Sequence, residues 1–322
     1  MSARTGLGGG ASRAAGLLLG YAADRLLGDP RRFHPVAGFG RAADALEHRL
    51  YADARVAGAV HTGLLVGGAV VLGSAVEPGG SRPLARTLLT AAATWVVLGG
   101  RSLEREATAV GTRLADEDLP AARRRLMHLV GRDTSELDAS QIARAVVESV
   151  AENTADAVVA PLVWGSVAGV PGLLGYRAAN TLDAMVGHRS ARYERFGWAA
   201  ARLDDVLNLP GSRLSGLLTI AARPRHARDA WRAWRRDAGG HPSPNAGVVE
   251  AAFAGSLGVR LGGTNTYYGS RVEHRALLGD GRAPRPGDIA DATRLARRVG
   301  LGAVVVAAGA AAIAGTIAGR RA

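Results

Sequence analysis

The sequence predicts an all-α, polytopic integral membrane protein with broken or re-entrant helices and Arg-rich cytoplasmic loops. Three observations support this prediction: long uncharged apolar runs, helix-type spacing in Ala-rich stretches, and a scarcity of alternating strand patterns. A membrane-spanning helix needs about 20 apolar residues. Residues 56–76 and 299–318 contain no formal charge and are the clearest predicted spans. We expect the whole chain, residues 1–322, to form a single membrane domain.

Three further apolar segments are predicted to lie in the membrane, at residues 86–100, 157–176 and 206–222. The first reaches spanning length only if Arg86 extends its side chain to the headgroups. The other two are interrupted by prolines and glycines, which indicates broken or re-entrant helices that line a protein-enclosed cavity. Two ordinary spans fit their hydropathy equally well. The apolar run near Leu18 is interpreted as a short membrane-embedded or interfacial helix.

The distribution of arginine predicts the orientation of the chain. The connection at 77–83 carries one Arg and one Glu, whereas the other polar segments are rich in Arg. By the positive-inside rule, this connection faces outward and the Arg-rich loops face the cytoplasm, as in a multi-pass protein of the inner membrane. The stretch at 223–237 combines Arg with Trp231 and Trp234, which is typical of a helix in the headgroup plane. A solvated basic helix fits this stretch equally well.

Composition excludes several chemistries. Cysteine is absent, so disulfides, thiolate metal sites and cysteine nucleophiles are excluded. Every one of the 40 basic residues is arginine, so the chain has neither a P-loop lysine nor a lysine Schiff base. The formal charge of +12 favours anionic partners, either lipid headgroups or acidic substrates. We expect no nucleic acid partner.

Three carboxylates occur at helical spacing just before a membrane segment. Glu148, Glu152 and Asp156 stand at i, i+4 and i+8, which places them on one helical face. Like charges at this spacing repel, so the face requires a counter-charge such as a divalent cation or a bound arginine. For an isolated helix, a solvated face that Arg144 neutralises is the favoured interpretation. The position beside the membrane favours a functional role here.

Further oxygen ligands follow at helical spacing. Asn180 and Asp183 share a face in NTLD, and Asp204, Asp205 and Asn208 follow in RLDDVLN. Carboxylates and carboxamides are ligands that Mg²⁺ accepts while it bridges nucleotide phosphates. Each motif alone is weak evidence for such a site.

Loops add candidate binding groups. GRDTSELD places Thr134 after Asp133, the pattern of a helix N-cap and an anion-binding turn, although capping without a ligand is the commoner role. The proline-rich HPSPNAG at 241–247 excludes helix and presents His241, Ser243 and Asn245 from a rigid loop. The Gly-rich LGGTNTYYG offers a further asparagine and backbone amides.

Taken together, these motifs resemble the CobD/CbiB cobalamin biosynthesis proteins, called adenosylcobinamide-phosphate synthases. The resemblance is carried, in family order, by GDPRRFHPV, GRDTSELD, ESVAENTADAVVAPL, NTLDAMVG, RYERFGWAAARLDDVLN, HPSPNAG and EAAFAGSLGVRLGGTNTYYG, and it covers about residues 20–269. The chain departs from the family pattern at Pro210, which comes one place early, while Asn208 and Arg213 keep the expected separation.

The resemblance implies a ligase-type, amide-forming enzyme that joins adenosylcobyric acid to aminopropanol or aminopropanol phosphate. The product is adenosylcobinamide or its phosphate. ATP as co-substrate and Mg²⁺ as metal are expected on the same ground. Membrane lipid and other membrane enzymes of the pathway are the expected partners.

This chemistry gives the polar residues hypothetical roles. The residues expected to hold Mg²⁺ and to deprotonate the attacking ammonium are Glu148, Glu152, Asp156, Asp204 and Asp205. Arg132 and Arg202 are expected to contact phosphate or carboxylate. The 241–245 loop is expected to orient the corrinoid side chain or nucleotide. The full set of expected substrate contacts is Arg132, Asp133, Thr134, Asn153, Asn180, Asp183, Arg202, Asn208, His241, Ser243, Asn245 and Asn265.

Two other functions fit parts of the sequence. A transporter of a corrinoid or another anionic substrate also uses polar residues beside broken membrane helices, and hydropathy alone favours it. A scaffold that recruits soluble pathway enzymes would use the Arg-rich stretch at 223–237 as its docking surface.

Overall fold

The computed structural model describes residues 3–30, 34–77, 82–131, 133–188, 190–267 and 271–321. The chain is 79% helical, which confirms the predicted all-α class. The helices in chain order are α1 (Ala3–Leu27), α2 (Pro35–Leu50), α3 (Arg55–Val76), α4 (Pro83–Val97), α5 (Gly100–Ala115), α6 (Leu119–Leu126), α7 (Ala139–Thr154), α8 (Ala160–Leu182), α9 (Trp198–Ala222), α10 (Ala227–Asp237), α11 (Ala246–Leu257) and α12 (Pro286–Arg321). The sequence analysis did not predict the antiparallel hairpin of β1 (Leu261–Tyr267) and β2 (Arg271–Leu278).

The chain divides into two compact units. The first unit comprises Met1–Gly99, Ala160–Asn208 and Ala303–Ala322, and the second comprises Gly100–Val159 and Leu209–Gly302. The single membrane domain over residues 1–322 stays a prediction.

Within the described residues, three helical segments are long and apolar enough to cross a membrane, namely Arg55–Val76, Pro286–Ile317 and Ala139–Gly187, which comprises α7, α8 and two π-helical turns. They contain the predicted segments at 56–76, 157–176 and 299–318. The predicted span at 86–100 falls largely in α4, a 15-residue helix that ends at Val97, and it stays a prediction. Membrane crossing by these helices follows from their length and composition.

The segment at 206–222 is not a broken helix. It belongs to α9, which continues through Pro210 without a non-helical residue. The indole N–H of Trp164 donates to the carbonyl of Leu207 (2.8 Å), in the turn that precedes this proline. Side-chain partners of this kind stabilise a helix that contains proline, so the prediction of a break here was wrong.

The predicted break in residues 157–176 is confirmed. Helix α8 is interrupted at Gly169, whose φ of 65° and ψ of −142° are essentially restricted to glycine. The guanidinium of Arg13 donates to the carbonyls of Ser166 (3.3 Å) and Val167 (3.2 Å), and it lies 3.7 Å from the Glu77 carboxylate. The Arg13 side chain therefore supplies hydrogen-bond donors to two carbonyls beside the break.

Small residues allow close helix packing in the first unit. Gly16 and Gly20 of α1 face Thr90 and Thr94 of α4 so closely that a Cβ on either glycine would overlap the threonine side chain. This is the small-residue spacing by which apolar helices associate. The apolar run near Leu18 thus belongs to a 25-residue helix, longer than the short helix predicted.

The second unit is built around two buried helices. Nearly every residue of α11 is buried, and α7 is buried from Ile142 to Ala151. A capping box starts α7, since Asp138 accepts from the Gln141 amide and the Gln141 side chain accepts from the Asp138 amide. These two helices position the polar residues described below.

The break in α8 makes a testable prediction. In Gly169→Ala, the new Cβ would lie 3.0 Å from the Glu77 carboxylate and 3.1 Å from the Arg13 guanidinium, at a backbone conformation that alanine rarely adopts. We expect the free energy of unfolding to fall by about 1–3 kcal/mol, measured by thermal or denaturant unfolding in detergent. The matched control is Gly67→Ala in α3, where nothing lies within 4 Å. An equal loss in both variants would contradict this account of the break.

Candidate active site

A polar cavity of about 140 Å³ opens in the second unit. Helix α7 supplies Glu148, Ser149 and Glu152 to its wall, α11 supplies Glu250, and β2 supplies Arg275. Three carboxylates and one guanidinium thus surround a space that suits a small molecule. It brings together the predicted Glu148 and Glu152.

Glu148 connects α7 to the hairpin. Its carboxylate accepts from the Gly262 amide (2.9 Å) and lies 3.8 Å from the Arg144 guanidinium, one turn earlier. Arg144 also donates to the carbonyls of Gly262 and Thr264. Because Glu148 is only 6% exposed, these partners offset the cost of burying its charge. Arg144 was expected to neutralise a solvated acidic face of α7. It instead forms part of the buried contact between Glu148 and the hairpin.

A second acidic contact lies on the α11 side of the cavity. The imidazole Nε2 of His241 lies 3.6 Å from the Glu250 carboxylate and 3.5 Å from the Arg275 guanidinium. The other ring nitrogen, Nδ1, lies 3.0 Å from the Ser243 amide, which donates to it, and 3.2 Å from the Ser243 carbonyl. Because the Ser243 amide donates to Nδ1, this nitrogen is an acceptor, and the neutral ring carries its proton on Nε2, which faces Glu250.

The predicted loop at 241–245 is confirmed as a fixed element. The Ser243 hydroxyl accepts from the amides of Asn245 (3.3 Å) and Ala246 (3.2 Å) at the start of α11. The carboxamide oxygen of Asn245 accepts from Ser212 (2.8 Å) and Arg213 (2.6 Å). Asn245 thereby anchors the loop to α9.

A different polar network lies in the first unit. Asp204 accepts from the amides of Asn180 (3.2 Å) and Asn208 (2.8 Å), and the Tyr176 hydroxyl donates to Asn208 (2.7 Å). Burial raises the pKa of the Asp204 carboxyl, and the charge of Asp205 adds to the rise, while the two amide hydrogen bonds oppose it. Both carboxylate oxygens thus bind amides of the protein itself, which is the geometry of a structural network.

Other candidate residues lie elsewhere. Glu152 is exposed at the cavity wall, and Asp156 lies in a π-helical turn, Ala155–Val159, that follows α7. The regular α-helical spacing ends at Thr154, and the shared face of Asp156 and Glu148 stays a prediction. Asn153 donates to the Ser149 carbonyl (2.9 Å).

Two further candidates, Asp183 and Arg202, lie in the first unit. Asp183 begins a second π-helical turn, Asp183–Gly187. Arg202 pairs with Asp205 at 3.6 Å.

Thr134 is not a helix N-cap. Its hydroxyl donates to the Arg123 carbonyl (3.0 Å), and the cap of α7 is Asp138. Asp133 accepts from the Ser135 amide (2.9 Å) in a turn, which lowers the pKa of its carboxyl. Arg132 and the side chain of Asn265 lie outside the described residues.

The five carboxylates expected to hold a metal do not form one protein cage. Across the described ranges, no group of three or more His, Cys, Asp or Glu side chains is placed to hold a metal ion. Glu148 and Glu152 belong to the second unit and Asp204 and Asp205 to the first. Mg²⁺ usually takes one or two carboxylates together with substrate phosphates, so carboxylates of the cavity fit it in that mode.

Comparison with known proteins identifies the family. The family described as "CobD/Cbib protein" matches residues 17–296. The chain belongs to the CobD/CbiB family. It is 54% identical to the cobalamin biosynthesis protein CobD of Mycobacterium tuberculosis, over 92% of this chain and 95% of the relative. The proteins of the same description from Chromobacterium violaceum (45% identical, 85% of this chain, 89% of the relative) and Rhodobacter capsulatus (41%, 91% and 96%) are also similar. No solved structure matches the chain.

The CobD/CbiB resemblance drawn from the motifs is therefore confirmed, and the protein is a cobalamin biosynthetic enzyme. Sequence reasoning missed two cavity residues, Glu250 and Arg275. The signal for Glu250 was a single carboxylate inside the apolar run Ala246–Leu257, where a charge is costly unless it has a use. Arg275 lies on the hairpin that was not predicted, and one Arg among 40 basic residues carries no signal of its own.

The anchoring role of Glu148 can be separated from a chemical role. We expect Glu148→Ala to loosen the start of β1, because the Gly262 amide and Arg144 lose their acceptor, at a cost of about 1–3 kcal/mol. Glu148→Gln keeps an acceptor oxygen, so the hairpin should stay protected. Hydrogen exchange of residues 259–264 measures the difference. Equal protection in the alanine and glutamine variants would refute the anchoring role.

Proposed function

We propose that this enzyme forms the amide bond between a carboxylate of adenosylcobyric acid and aminopropanol or aminopropanol phosphate, with ATP as co-substrate. The product is adenosylcobinamide or its phosphate. The observation that carries the proposal is the cavity of the second unit, where carboxylates and an arginine converge in a chain of a cobalamin biosynthesis family.

The reaction needs activation of the acyl group, because a free carboxylate is a poor acyl donor. Transfer of the γ-phosphoryl group of ATP to the carboxylate gives an acyl phosphate and ADP. Attack of the amine nitrogen on the carbonyl then forms the C–N bond and releases phosphate. The ammonium must lose protons for this attack, and a carboxylate is the base available in the cavity. Mg²⁺, when bound, would neutralise the developing charge on the phosphates.

The cavity matches the small amine rather than the corrinoid. A space of about 140 Å³ equals roughly five water volumes, which is the scale of an amino alcohol. The carboxylates of Glu152 and Glu250 complement an ammonium group, and Arg275 complements a phosphate. The Nε2 nitrogen of His241 lies 3.6 Å from the Glu250 carboxylate. We therefore assign His241 to orienting Glu250 and to relaying the released proton. We assign Glu148 chiefly to holding the cavity wall.

The same proposal places the enzyme in the inner membrane as a multi-pass protein. Its support is the length and composition of α3, α12 and the helix Ala139–Gly187. The break in α8 favours a second candidate function, a transporter, because interrupted helices also form substrate sites. A transporter consumes neither aminopropanol nor ATP for amide formation.

A reconstituted assay tests the proposed reaction. Purified protein in detergent, given adenosylcobyric acid, ATP, Mg²⁺ and each amine, should form the amide together with ADP and phosphate. We expect Glu152→Gln and Glu250→Gln to lower kcat by about 100-fold or more, the usual contribution of a general base.

The control for this assay is Glu136→Gln, which removes an exposed carboxylate of the same unit that does not line the cavity. It should keep the parent rate. Full activity in folded Glu152→Gln and Glu250→Gln would exclude the cavity as the active site. Uptake of a corrinoid into sealed vesicles that contain the protein, with no amide product formed, would support the transporter.

Arg275 makes a separate prediction about the acceptor. We expect Arg275→Gln to raise KM for aminopropanol phosphate by about 10- to 100-fold, the loss of one charge-assisted hydrogen bond. KM for aminopropanol should change little. Steady-state kinetics with both amines measures this split, and an equal change for both would show that Arg275 does not contact the phosphate.

A further inference from the structure

Helix α10 presents a basic stripe on one side and a packed side on the other. Ala230 and Ala233 are buried against the rest of the second unit, whereas Arg228, Arg232 and Arg235 are exposed. These arginines recur at three- and four-residue spacing, so they share one face of the helix. Two carboxylates lie near this face: Asp229 is 3.2 Å from Arg232, and Asp280, which pairs with Arg236 at 2.6 Å, also interacts electrostatically with Arg232. Since Asp280 is shared with Arg236, the three arginines of the face keep a net positive charge.

Aromatic residues accompany this stripe. Trp231 is 47% exposed, and the guanidinium of Arg235 lies 5.7 Å from the centre of its ring. Trp234 makes an edge contact with Trp231 at 5.4 Å and packs against Gly216 of α9. One tryptophan therefore fixes α10 to its unit and the other faces outward. Arg and Trp on one exposed face are typical of the headgroup region of a membrane.

A contact in the same unit indicates where this face lies. Arg298 is the last charged residue before the uncharged run 299–318 of α12, so it marks the headgroup level of that candidate span. Its guanidinium donates to the carbonyl of Ala222, the last residue of α9 (3.4 Å). Ala227, the first residue of α10, comes five positions after Ala222, which bounds the distance between their Cα atoms at about 18 Å. The stripe therefore starts near the membrane surface.

We propose that the α10 stripe, defined by Arg228, Trp231, Arg232 and Arg235, is a binding surface for the headgroups of anionic phospholipids. The planar guanidinium groups match phosphate oxygens in two-point hydrogen bonds, and Trp231 inserts beside the glycerol region. The net negative charge of an anionic lipid distinguishes it from a zwitterionic lipid with the same phosphate. This surface is separate from the cavity residues, so its occupancy does not depend on the proposed reaction.

Lipid retention tests this surface in the full-length protein. The parent and Arg228→Gln/Arg232→Gln/Arg235→Gln are reconstituted in equimolar phosphatidylglycerol and phosphatidylcholine and then extracted in mild detergent. Mass spectrometry gives the ratio of the two lipids that stay bound. We expect the parent to enrich phosphatidylglycerol and the variant to lose at least fivefold of this enrichment, since one basic residue near an anionic surface contributes about that factor. High salt should reduce the parent's enrichment.

The matched control is Arg101→Gln/Arg105→Gln/Arg113→Gln, which removes the same charge from exposed positions of α5. It should keep the parent's lipid ratio. The single variants Arg228→Gln and Arg235→Gln should each give a smaller loss, which covers poor folding of the triple variant. Equal enrichment in the parent and the α10 variants would overturn the proposal, as would an equal loss in the α5 control. The lipid assay requires no substrate, so it gives its answer whether or not the amide-forming assay succeeds.

Discussion

The hydrogen bond from the Gly262 amide to the Glu148 carboxylate is the contact on which the candidate site depends. It joins a buried helix to the hairpin, and the hairpin carries Arg275 into the cavity wall. Glu148 also faces Arg144, whose donors reach two carbonyls of the same strand. Removing either partner would leave a buried charge or a backbone group unpaired, which costs more than the pair contributes when intact. The position of the cavity wall therefore depends on this electrostatic contact together with the apolar packing of Leu261 and Leu278, which are fully buried.

The two buried acidic networks differ in what they can do. Asp204 has both oxygens engaged by amides of Asn180 and Asn208, so its carboxylate is held in place by the protein itself. Glu152 and Glu250 instead line a space large enough for a small molecule, next to a guanidinium of opposite charge. A substrate with an ammonium group and a phosphate matches that arrangement of charges. Spacing along the chain predicted the same role for Asp204 and Glu152, whereas their surroundings in the structure differ.

The sequence predicted much of this structure where one physical pattern decides the outcome. Uncharged runs of spanning length predicted α3 and the apolar part of α12, and the prolines and glycines of residues 157–176 predicted the break in α8. Prediction failed where the deciding partner is distant along the chain. Helix α9 continues through Pro210, where the Trp164 side chain donates to the carbonyl of Leu207. Thr134 caps no helix, because its hydroxyl donates to the carbonyl of Arg123.

In the candidate site too, local patterns were predictable and contacts with distant residues were not. The motifs identified Glu148, Glu152 and the loop that carries His241, since carboxylates at helical spacing and prolines are local signals. Glu250 of α11 and Arg275 of β2 join them only through tertiary structure. Arg275 lies on a hairpin whose glycine-rich strand gives little alternating pattern. A π-helical turn, which contains Asp156, replaces regular α-helix after Thr154. Local spacing cannot reveal such a turn.

The broken helix also bears on the choice between enzyme and transporter. In transporters, the carbonyls released by an interrupted helix serve as ligands for the transported ion or substrate. In this chain, the carbonyls of Ser166 and Val167 accept hydrogen bonds from Arg13, and Glu77 balances the charge of that arginine. The break is therefore satisfied by the protein's own side chains, as an interruption with a structural role would be. The polar groups with space for a small molecule lie instead around Glu152, Glu250 and Arg275. That separation of a filled break from an open polar cavity favours chemistry in the second unit over passage through the first.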